Sequence, residues 1–269
     1  MSRIATCLEA LAKEGRKALI PYIVAGDPNA DFTVPMMHSL VAHGADIIEL
    51  GIPFSDPMAE GPVIQLAHER ALEHGISLTD ALAMVAAFRR ENQHTPVVLM
   101  GYANPVVSMG FAGFAGAAAE AGVDGLLTVD MPPEEAHELN AELKAVDIDT
   151  IFLIAPTTTT ERIISIAEIA TGYLYYVSLK GVTGAGHLDI DAVRDKVRHI
   201  KSITDLPLTV GFGIKDAESA ATIATLAEGV VVGSALVQRA AELAAVDGSA
   251  AIEPAVQLIA DMRRAMDAV

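Results

Sequence analysis

The sequence is poor in cysteine and in basic residues. It has one cysteine, Cys7, so an intrachain disulfide is excluded and a reducing compartment is the simpler environment. Its 18 Lys and Arg residues stand against 35 Asp and Glu residues, which gives a formal net charge of −17. This balance disfavours nucleic acid and anionic membrane surfaces, because both bind through clustered basic side chains. A small anionic substrate is still compatible with it, since backbone N–H groups can hold such a ligand.

Long apolar runs and a secretion signal are also missing. No apolar run reaches the roughly 18 residues that a membrane span needs. The amino terminus does not join a basic region to an apolar one. We therefore expect a cytoplasmic protein that binds neither a membrane nor a nucleic acid. Hydrophobic residues make up 52% of the 269 positions, which is enough apolar surface for a well-buried core.

Several common catalytic patterns are absent as well. The eight histidines are scattered, so no metal site is predicted. There is no G-x-S-x-G pattern of a serine hydrolase. No lysine lies inside a predicted strand, which disfavours Schiff-base chemistry. The class of catalytic chemistry that these absences leave open is acid–base chemistry by carboxylates.

Short apolar runs recur along the chain and do not alternate with polar residues, as in parallel strands that are buried on both faces. The eight runs are Leu19–Val24, Asp46–Leu50, Val97–Met100, Gly125–Val129, Thr150–Ile154, Leu174–Ser178, Leu208–Val210 and Gly229–Val232. Segments of helical period separate them, for example Phe32–His43, Leu78–Arg90, Pro133–Ala145, Ile190–Ile203 and Ala217–Leu226.

Eight strand–helix units in about 250 residues predict an α/β fold, a closed (β/α)8 TIM barrel. Residues 2–14 form an extra amphipathic helix that we expect to close the bottom of the barrel, and residues 249–268 a terminal helix. No linker or change in composition marks a boundary. Residues 1–269 are therefore predicted to be a single catalytic domain.

In such barrels the active site lies in the loops that follow the strands. Glu49 is a carboxyl group inside the second run, which is otherwise built of Ile and Leu. Burial disfavours its charged form and should raise its pKa toward the range of a proton shuttle. The alternative is a strand glutamate held in an ion pair. Asp56 and Glu60 follow in a proline-rich loop, where Asp56 could instead cap a turn.

Glycines mark three later loops. Residues 181–186, after the sixth run, contain three glycines and suggest a lid; a loose surface loop is the alternative. The segments 211–214 and 233–234 follow the seventh and eighth runs, where this fold recurrently binds phosphate. Glycine lets a phosphate approach the backbone N–H groups at a helix start. Turn glycines without a ligand are the alternative.

The motifs ELGIPFSDP (49–57), YANP (102–105), GVTG (181–184) and GFGI (211–214) closely resemble the α chain of tryptophan synthase. The resemblance covers essentially the whole chain. It implies a lyase of L-tryptophan biosynthesis that cleaves indole-3-glycerol phosphate to indole and glyceraldehyde 3-phosphate. Glu49 would protonate C3 of the indole and deprotonate the glycerol hydroxyl. Glu60 would hold the indole N–H, although the family usually has Asp at this position.

Further roles are implied only by position in the family. Tyr175 would stand beside Glu49 as a third catalytic residue, and Thr183 would close the lid. Phosphate would bind at Gly184, Phe212, Gly213, Gly233 and Ser234. The indole pocket would be walled by Tyr22, Met100, Leu127 and Leu153, for which ordinary barrel packing is the alternative.

The resemblance also implies a partner. A β chain carrying pyridoxal phosphate would form an α2β2 heterotetramer with this chain, through Pro53–Pro57, Asn104, Pro105 and Pro132, while this chain would need no cofactor. Two other functions stay open. One is another phosphate-binding barrel, such as indole-glycerol-phosphate synthase or a phosphoribosyl isomerase, although their catalytic lysines or Asp/Cys pairs are missing. The other is a regulatory subunit that binds phosphate ligands and activates its β chain without turnover.

Overall fold

The fold is seen in a computed structural model that describes residues 2–178, 189–211 and 213–269. Within these residues eight parallel strands close into a barrel in chain order, with the last strand paired to the first. The strands are β1 (Ala18–Val24), β2 (Ile48–Gly51), β3 (Val97–Gly101), β4 (Gly125–Thr128), β5 (Asp149–Ile154), β6 (Leu174–Val177), β7 (Leu208–Gly211) and β8 (Gly229–Val232). The predicted TIM barrel is confirmed.

Helices surround the barrel because the chain has to return from the end of one strand to the opposite edge of the barrel before the next parallel strand can pair. In the described ranges they are α1 (Arg3–Lys13), α2 (Ala30–Ala42), α3 (Pro62–Glu73), α4 (Leu78–Arg89), α5 (Ala103–Met109), α6 (Phe111–Ala121), α7 (His137–Ala145), α8 (Thr160–Ile169), α9 (Ile190–Lys201), α10 (Ala217–Ala224), α11 (Ser234–Asp247) and α12 (Ile252–Met266).

Local sequence explains where several helices begin. Ser77 and Asp80 form a reciprocal capping box at α4, and Asp216 and Ser219 form another at α10. In both, side-chain oxygens satisfy backbone N–H groups that the first helical turn leaves unpaired. At α3, Pro62 occupies the first turn, where its missing N–H costs nothing.

Two predicted helices are each divided. Residues 133–145 form a 3-10 turn, Pro133–Glu135, followed by α7. The prolines at 132 and 133 cannot donate backbone hydrogen bonds, and the tight turn passes into α7 at Ala136. Residues 249–268 begin within the 3-10 turn Gly248–Ala251 and continue as α12. The overall positions of both predicted helices are right, but their first turns are not α-helical.

The extra amino-terminal helix lies against the starts of the strands, as predicted. Ile4 is fully buried, and its side chain lies beside Gly125 at the start of β4. The Ser2 hydroxyl donates to Asp149 Oδ2 at 2.6 Å, and Arg3 Nη1 lies 2.7 Å from Asp124 Oδ1. Helix α1 therefore covers the end of the barrel opposite to the loops that follow the strands.

Asp124 is the centre of a buried charged cluster at this end of the barrel. Its carboxylate accepts from Arg3, from Arg89 Nη2 at 2.6 Å and from the backbone N–H of Val97 at 2.8 Å. Arg89 also donates to the carbonyl oxygens of Gly122 and Thr95. Because every one of these charges has a partner, the cluster joins α1, α4, β3 and β4 without leaving an unpaired ion.

The stretch Ser234–Met266 is long and apolar enough, by length and composition alone, to cross a membrane. It is made of α11, a 3-10 turn and α12. In α12 seven side chains are buried, and the helix packs on α2, α10 and α11. Helix α12 therefore uses its apolar face to contact three neighbouring helices.

We predict that Asp124→Ala lowers the free energy of unfolding by about 3–5 kcal/mol, because it leaves two arginines without their buried partner. The control is Asp191→Ala, which removes the exposed ion pair with Arg194 and should cost less than about 1 kcal/mol. Urea denaturation of both variants measures the difference. Equal losses in the two variants would contradict the role given to the cluster.

Candidate active site

Glu49 lies in β2 and has no exposed surface. Its neighbours in register are Tyr22 of β1 and Val98 of β3. The hydroxyl of Tyr173, just before β6, donates to Glu49 Oε1 at 2.7 Å. The other oxygen, Oε2, has no hydrogen-bond partner among the described residues. A carboxyl group in this setting has one free position at which it can give or take a proton.

Glu60 occupies the end of the loop that follows β2. We call residues 52–61 the β2 loop. The loop turns at Glu60, whose backbone N–H donates to Pro57 O at 3.0 Å, and α3 begins two residues later. The Glu60 side chain is only 6% exposed. The loop therefore buries a second carboxyl group at the same end of the barrel.

Both carboxyl groups have a raised pKa. Burial raises the pKa of Glu49 from 4.5 to about 7; the hydrogen bond from Tyr173 opposes this shift and the charge of Glu60 adds to it. Burial alone raises the pKa of Glu60 to about 7. Groups that titrate near neutral pH can act as acid and as base in turn.

Two tyrosines stand near both carboxyl groups, and two glycines make room for them. Burial, followed by the charges of Glu49 and Glu60, holds the pKa of Tyr175 well above its usual value. Burial also raises the pKa of Tyr22, and the charge of Glu60 adds more to this shift than the charge of Glu49 does. A Cβ atom at Gly51 would overlap the Tyr22 hydroxyl, and one at Gly211 would overlap that of Tyr175. Both hydroxyls therefore lie against the backbone of a neighbouring strand end.

The other predicted indole-pocket residues line up across neighbouring strands. Met100 pairs with Leu127, and Leu153 pairs with Tyr175. Met100 and Leu127 are buried, whereas Leu153 is partly exposed. A cavity of about 340 Å³ opens beside Leu153, between the end of β4 and α8. Neither Glu49 nor Glu60 lines this cavity.

The predicted partner segments lie in the β2 loop, in the first turn of α5 and just after β4. In the β2 loop Ser55 and Asp56 are exposed, Pro57 is partly exposed and Pro53 is buried. The Asp56 carboxylate accepts the Ser55 hydroxyl at 2.6 Å. After β3, Asn104 is exposed and Pro105 partly exposed; after β4, Pro132 is partly exposed.

Glycines at the ends of β7 and β8 carry the predicted phosphate site. Gly213 is exposed and has a φ of +77°, a region that favours glycine. Gly233 precedes Ser234, the first residue of the 14-residue helix α11. The first N–H groups of a helix have no partner inside it and attract anions.

Three predicted residues, Thr183, Gly184 and Phe212, lie outside the described residues. Among the residues that the structure does describe, no group of three His, Cys, Asp or Glu side chains is placed to hold a metal ion.

One residue of the site was not predicted from the sequence. Tyr173, rather than Tyr175, donates the hydrogen bond to Glu49. Tyr173 lies one residue before the predicted strand Leu174–Ser178, so it is not among the predicted strand residues. Side chains two residues apart lie on the same side of a strand, so Tyr173 could have been found by stepping back two positions from Tyr175.

A closed barrel with two buried carboxyl groups of raised pKa, one in β2 and one in the loop that follows it, has the architecture of the (β/α)8-barrel enzymes, and such groups suit acid–base chemistry. The sequence profile of the tryptophan synthase alpha chain matches residues 8–267. The chain belongs to the tryptophan synthase alpha chain family, whose reaction is the cleavage of indole-3-glycerol phosphate to indole and glyceraldehyde 3-phosphate. In this family the β chain is the partner and carries the pyridoxal phosphate.

Individual relatives cover the chain from end to end. The alpha chain of Thioalkalivibrio sulfidiphilus is 61% identical over 99% of this chain and 100% of its own length. That of Chromobacterium violaceum is 58% identical, with the same shares. The crystal structure of tryptophan synthase subunit alpha from Legionella pneumophila is 46% identical, with a TM-score of 0.93 and full coverage of both chains. The predicted family and its lyase reaction are confirmed.

The raised pKa values predict how stability depends on pH. Between pH 4.5 and about 7 the folded protein keeps protons on Glu49 and Glu60 that the unfolded chain has lost. The free energy of unfolding should therefore fall as the pH rises through this window. Glu49→Gln should remove part of this slope and increase stability at pH 8 by on the order of 2 kcal/mol.

Urea denaturation between pH 4.5 and 8 measures the effect. The control is Glu73→Gln, a change at an exposed glutamate of α3, which should leave the slope unchanged. A Glu49→Gln slope equal to that of the unsubstituted protein would show that Glu49 does not hold a proton in this range.

Proposed function

We propose that Glu49 is the proton shuttle of this reaction. In its acid form it gives a proton to C3 of the indole. As the resulting base it takes the proton of the glycerol hydroxyl next to that carbon; the C–C bond then breaks, the aldehyde forms and the bonding electrons return to the ring. The observation that carries this proposal is the complete burial of Glu49 with one oxygen unpartnered and a pKa near 7.

We propose that Glu60 stabilises the positive charge that C3 protonation leaves on the indole N–H. A carboxylate aimed at developing charge in a buried site is worth more than it is in water. Glu60 is buried, and its charge acts on Glu49, Tyr22 and Tyr175. The extra methylene, compared with the Asp expected from the resemblance, gives a longer reach, and we propose that activity is retained.

The walls of the site are also a proposal. Tyr175 would act beside Glu49, and the indole ring would lie between Tyr22, Met100, Leu127 and Leu153. The support is the strand register, which pairs Tyr22 with Glu49, Met100 with Leu127 and Leu153 with Tyr175 on three pairs of neighbouring strands.

We propose that the substrate phosphate binds at the start of α11. Gly233 and Ser234 offer backbone N–H groups of a helix long enough to have a substantial dipole. Gly213 follows the neighbouring strand end. Gly184 and Phe212 would complete the phosphate site, and Thr183 would belong to the lid that closes over the substrate.

We predict that Glu49→Gln lowers kcat for indole-3-glycerol phosphate cleavage by at least about a thousandfold, because the shuttle proton is lost. The protein is assayed with its β chain, by the formation of glyceraldehyde 3-phosphate. Glu60→Ala should lower kcat by about a hundredfold, and Glu60→Asp should stay within about tenfold of the unsubstituted protein. If the unsubstituted protein shows no turnover, or Glu49→Gln keeps its rate, the proposal fails.

For the partner, we propose that the β chain docks on the loops after β2, β3 and β4 in an α2β2 heterotetramer. The contact would include Pro53–Pro57, Asn104, Pro105 and Pro132. The backbone N–H of Ala103 donates to Asp130 Oδ1 at 2.7 Å, which holds the second and third loops side by side. Two large apolar side chains are exposed near these segments, Met58 of the β2 loop at 83% and Val107 of α5 at 55%, and exposed apolar surface is typical of a partner contact.

We predict that Asn104→Arg weakens the binding of the β chain at least about tenfold, because a charge is buried in the contact without a partner. The control is Ala12→Arg, which adds the same side chain to an exposed position of α1 at the opposite end. Titration calorimetry measures both variants, and light scattering gives the mass of the complex. Equal binding by the two variants would place the interface elsewhere.

We also propose that residues 1–269 form one domain in the cytoplasm. Buried residues from Ile4 to Met266 belong to one hydrophobic cluster, so the described part of the chain has no separate core for a second domain.

A further inference from the structure

Two buried polar side chains outside the proposed reaction pathway contact the backbone of the β2 loop. The backbone N–H of Phe54 donates to Nδ1 of His68 at 3.1 Å. The backbone N–H of Ala59 donates to the hydroxyl oxygen of Tyr102 at 3.0 Å. His68 belongs to α3 and Tyr102 precedes α5, so the loop is held from two different elements.

Tyr102 also contacts the loop through its ring. The rings of Phe54 and Tyr102 stack with their centres 4.9 Å apart and an angle of 24° between their planes. Tyr102 is 2% exposed. One residue therefore fixes the beginning of the loop by stacking and its end by a hydrogen bond.

His68 can play its part only as a neutral ring. Its Nδ1 must keep a lone pair to accept from Phe54, so the proton sits on Nε2, which is buried without a partner among the described residues. Burial lowers the pKa of His68 to about 4, which keeps this form at neutral pH. An unpaired buried donor destabilises the protein, and the hydrogen bond to Phe54 is a polar contact that the buried ring makes with the β2 loop.

The held segment ends at Glu60. Ala59 is its immediate neighbour, and the charge of Glu60 contributes, after burial, to raising the pKa of Tyr102 to about 12. Two backbone hydrogen bonds lie inside the turn itself, from Met58 to Asp56 and from Glu60 to Pro57. From outside the turn, Tyr102 accepts from Ala59, and the Gln65 side chain of α3 donates to the carbonyl oxygen of Glu60 at 2.9 Å, so the position of the Glu60 backbone also depends on contacts from other elements.

We propose that Tyr102 and His68 are positioning residues that hold the β2 loop at Ala59 and Phe54 and thereby aim the Glu60 carboxyl at the substrate. This inference rests on the proposed role of Glu60. A carboxylate displaced by about 1 Å can lose on the order of a hundredfold in rate, so loosening either contact has a kinetic effect through Glu60.

The test is a double-mutant cycle in the complex with the β chain, with glyceraldehyde 3-phosphate formation as the assay. Tyr102→Phe removes one oxygen and keeps the stacking on Phe54. It should lower kcat by about 10- to 100-fold in the unsubstituted protein and by less than about twofold in a Glu60→Ala background. The control is Tyr176→Phe, the same change at a buried tyrosine on the other side of β6, which should leave kcat unchanged.

A second pair of variants tests His68 separately. Asn places its amide oxygen the same number of bonds from Cα as Nδ1 of His, so His68→Asn keeps an acceptor for Phe54, whereas His68→Leu removes it. We expect His68→Asn to retain kcat within about threefold and His68→Leu to lose about tenfold or more, again without effect in the Glu60→Ala background. This pair also decides the question if Tyr102→Phe does not fold.

Two outcomes would overturn the inference. Equal losses from Tyr102→Phe with and without Glu60 would mean that Tyr102 acts independently of the carboxyl group. Full activity of Tyr102→Phe or His68→Leu would mean that the contact does not aim it. Failure of the proposed function is a different result, because Glu60→Ala alone would then keep full activity.

Discussion

Burial of the Glu49 carboxyl is the constraint on which the rest of the site depends. A carboxylate without exposed surface has to be paired with a positive charge or hold its proton at neutral pH. The described residues around Glu49 supply a tyrosine hydroxyl and a second carboxyl group. The hydroxyl stabilises the charged form, whereas burial and Glu60 oppose it, so the two protonation states come close in free energy. A proton shuttle needs this balance.

The barrel fixes the positions of the groups that set the protonation of Glu49. Strand register brings Tyr22 beside Glu49, and glycines at 51 and 211 let tyrosine hydroxyls lie against the backbone. The charged cluster around Asp124 stabilises the opposite end of the barrel, away from the carboxyl groups. The charged cluster that stabilises the fold and the carboxyl groups of the candidate site therefore lie at opposite ends of the same barrel, as is usual for this fold.

Much of this arrangement could be predicted from the sequence. Apolar runs of Val, Ile and Leu identify buried parallel strands because both faces of each strand are covered, and Glu49 was conspicuous as the carboxyl among them. The Tyr173 contact could not be predicted in the same way, because Tyr173 lies just outside β6 and its bond to Glu49 joins positions 124 residues apart in sequence. The bonds from the β2 loop to Tyr102 and His68 were out of reach for another reason. They join a loop to side chains on other elements, and no periodic pattern in one segment specifies such a contact.

Helix α1 has a consequence for how the chain folds. Its polar contacts with other parts of the fold include Asp46, Gln93 and Asp124, and the bond between Ser2, its N-cap residue, and Asp149 spans 147 positions of sequence. Helix α1 can therefore complete its docking only when the chain has been made as far as Asp149, the first residue of β5. Until then part of its final contacts is missing. Contacts of such long sequence separation slow folding and prolong the exposure of apolar surface, so closure of this end of the barrel waits for the fifth strand.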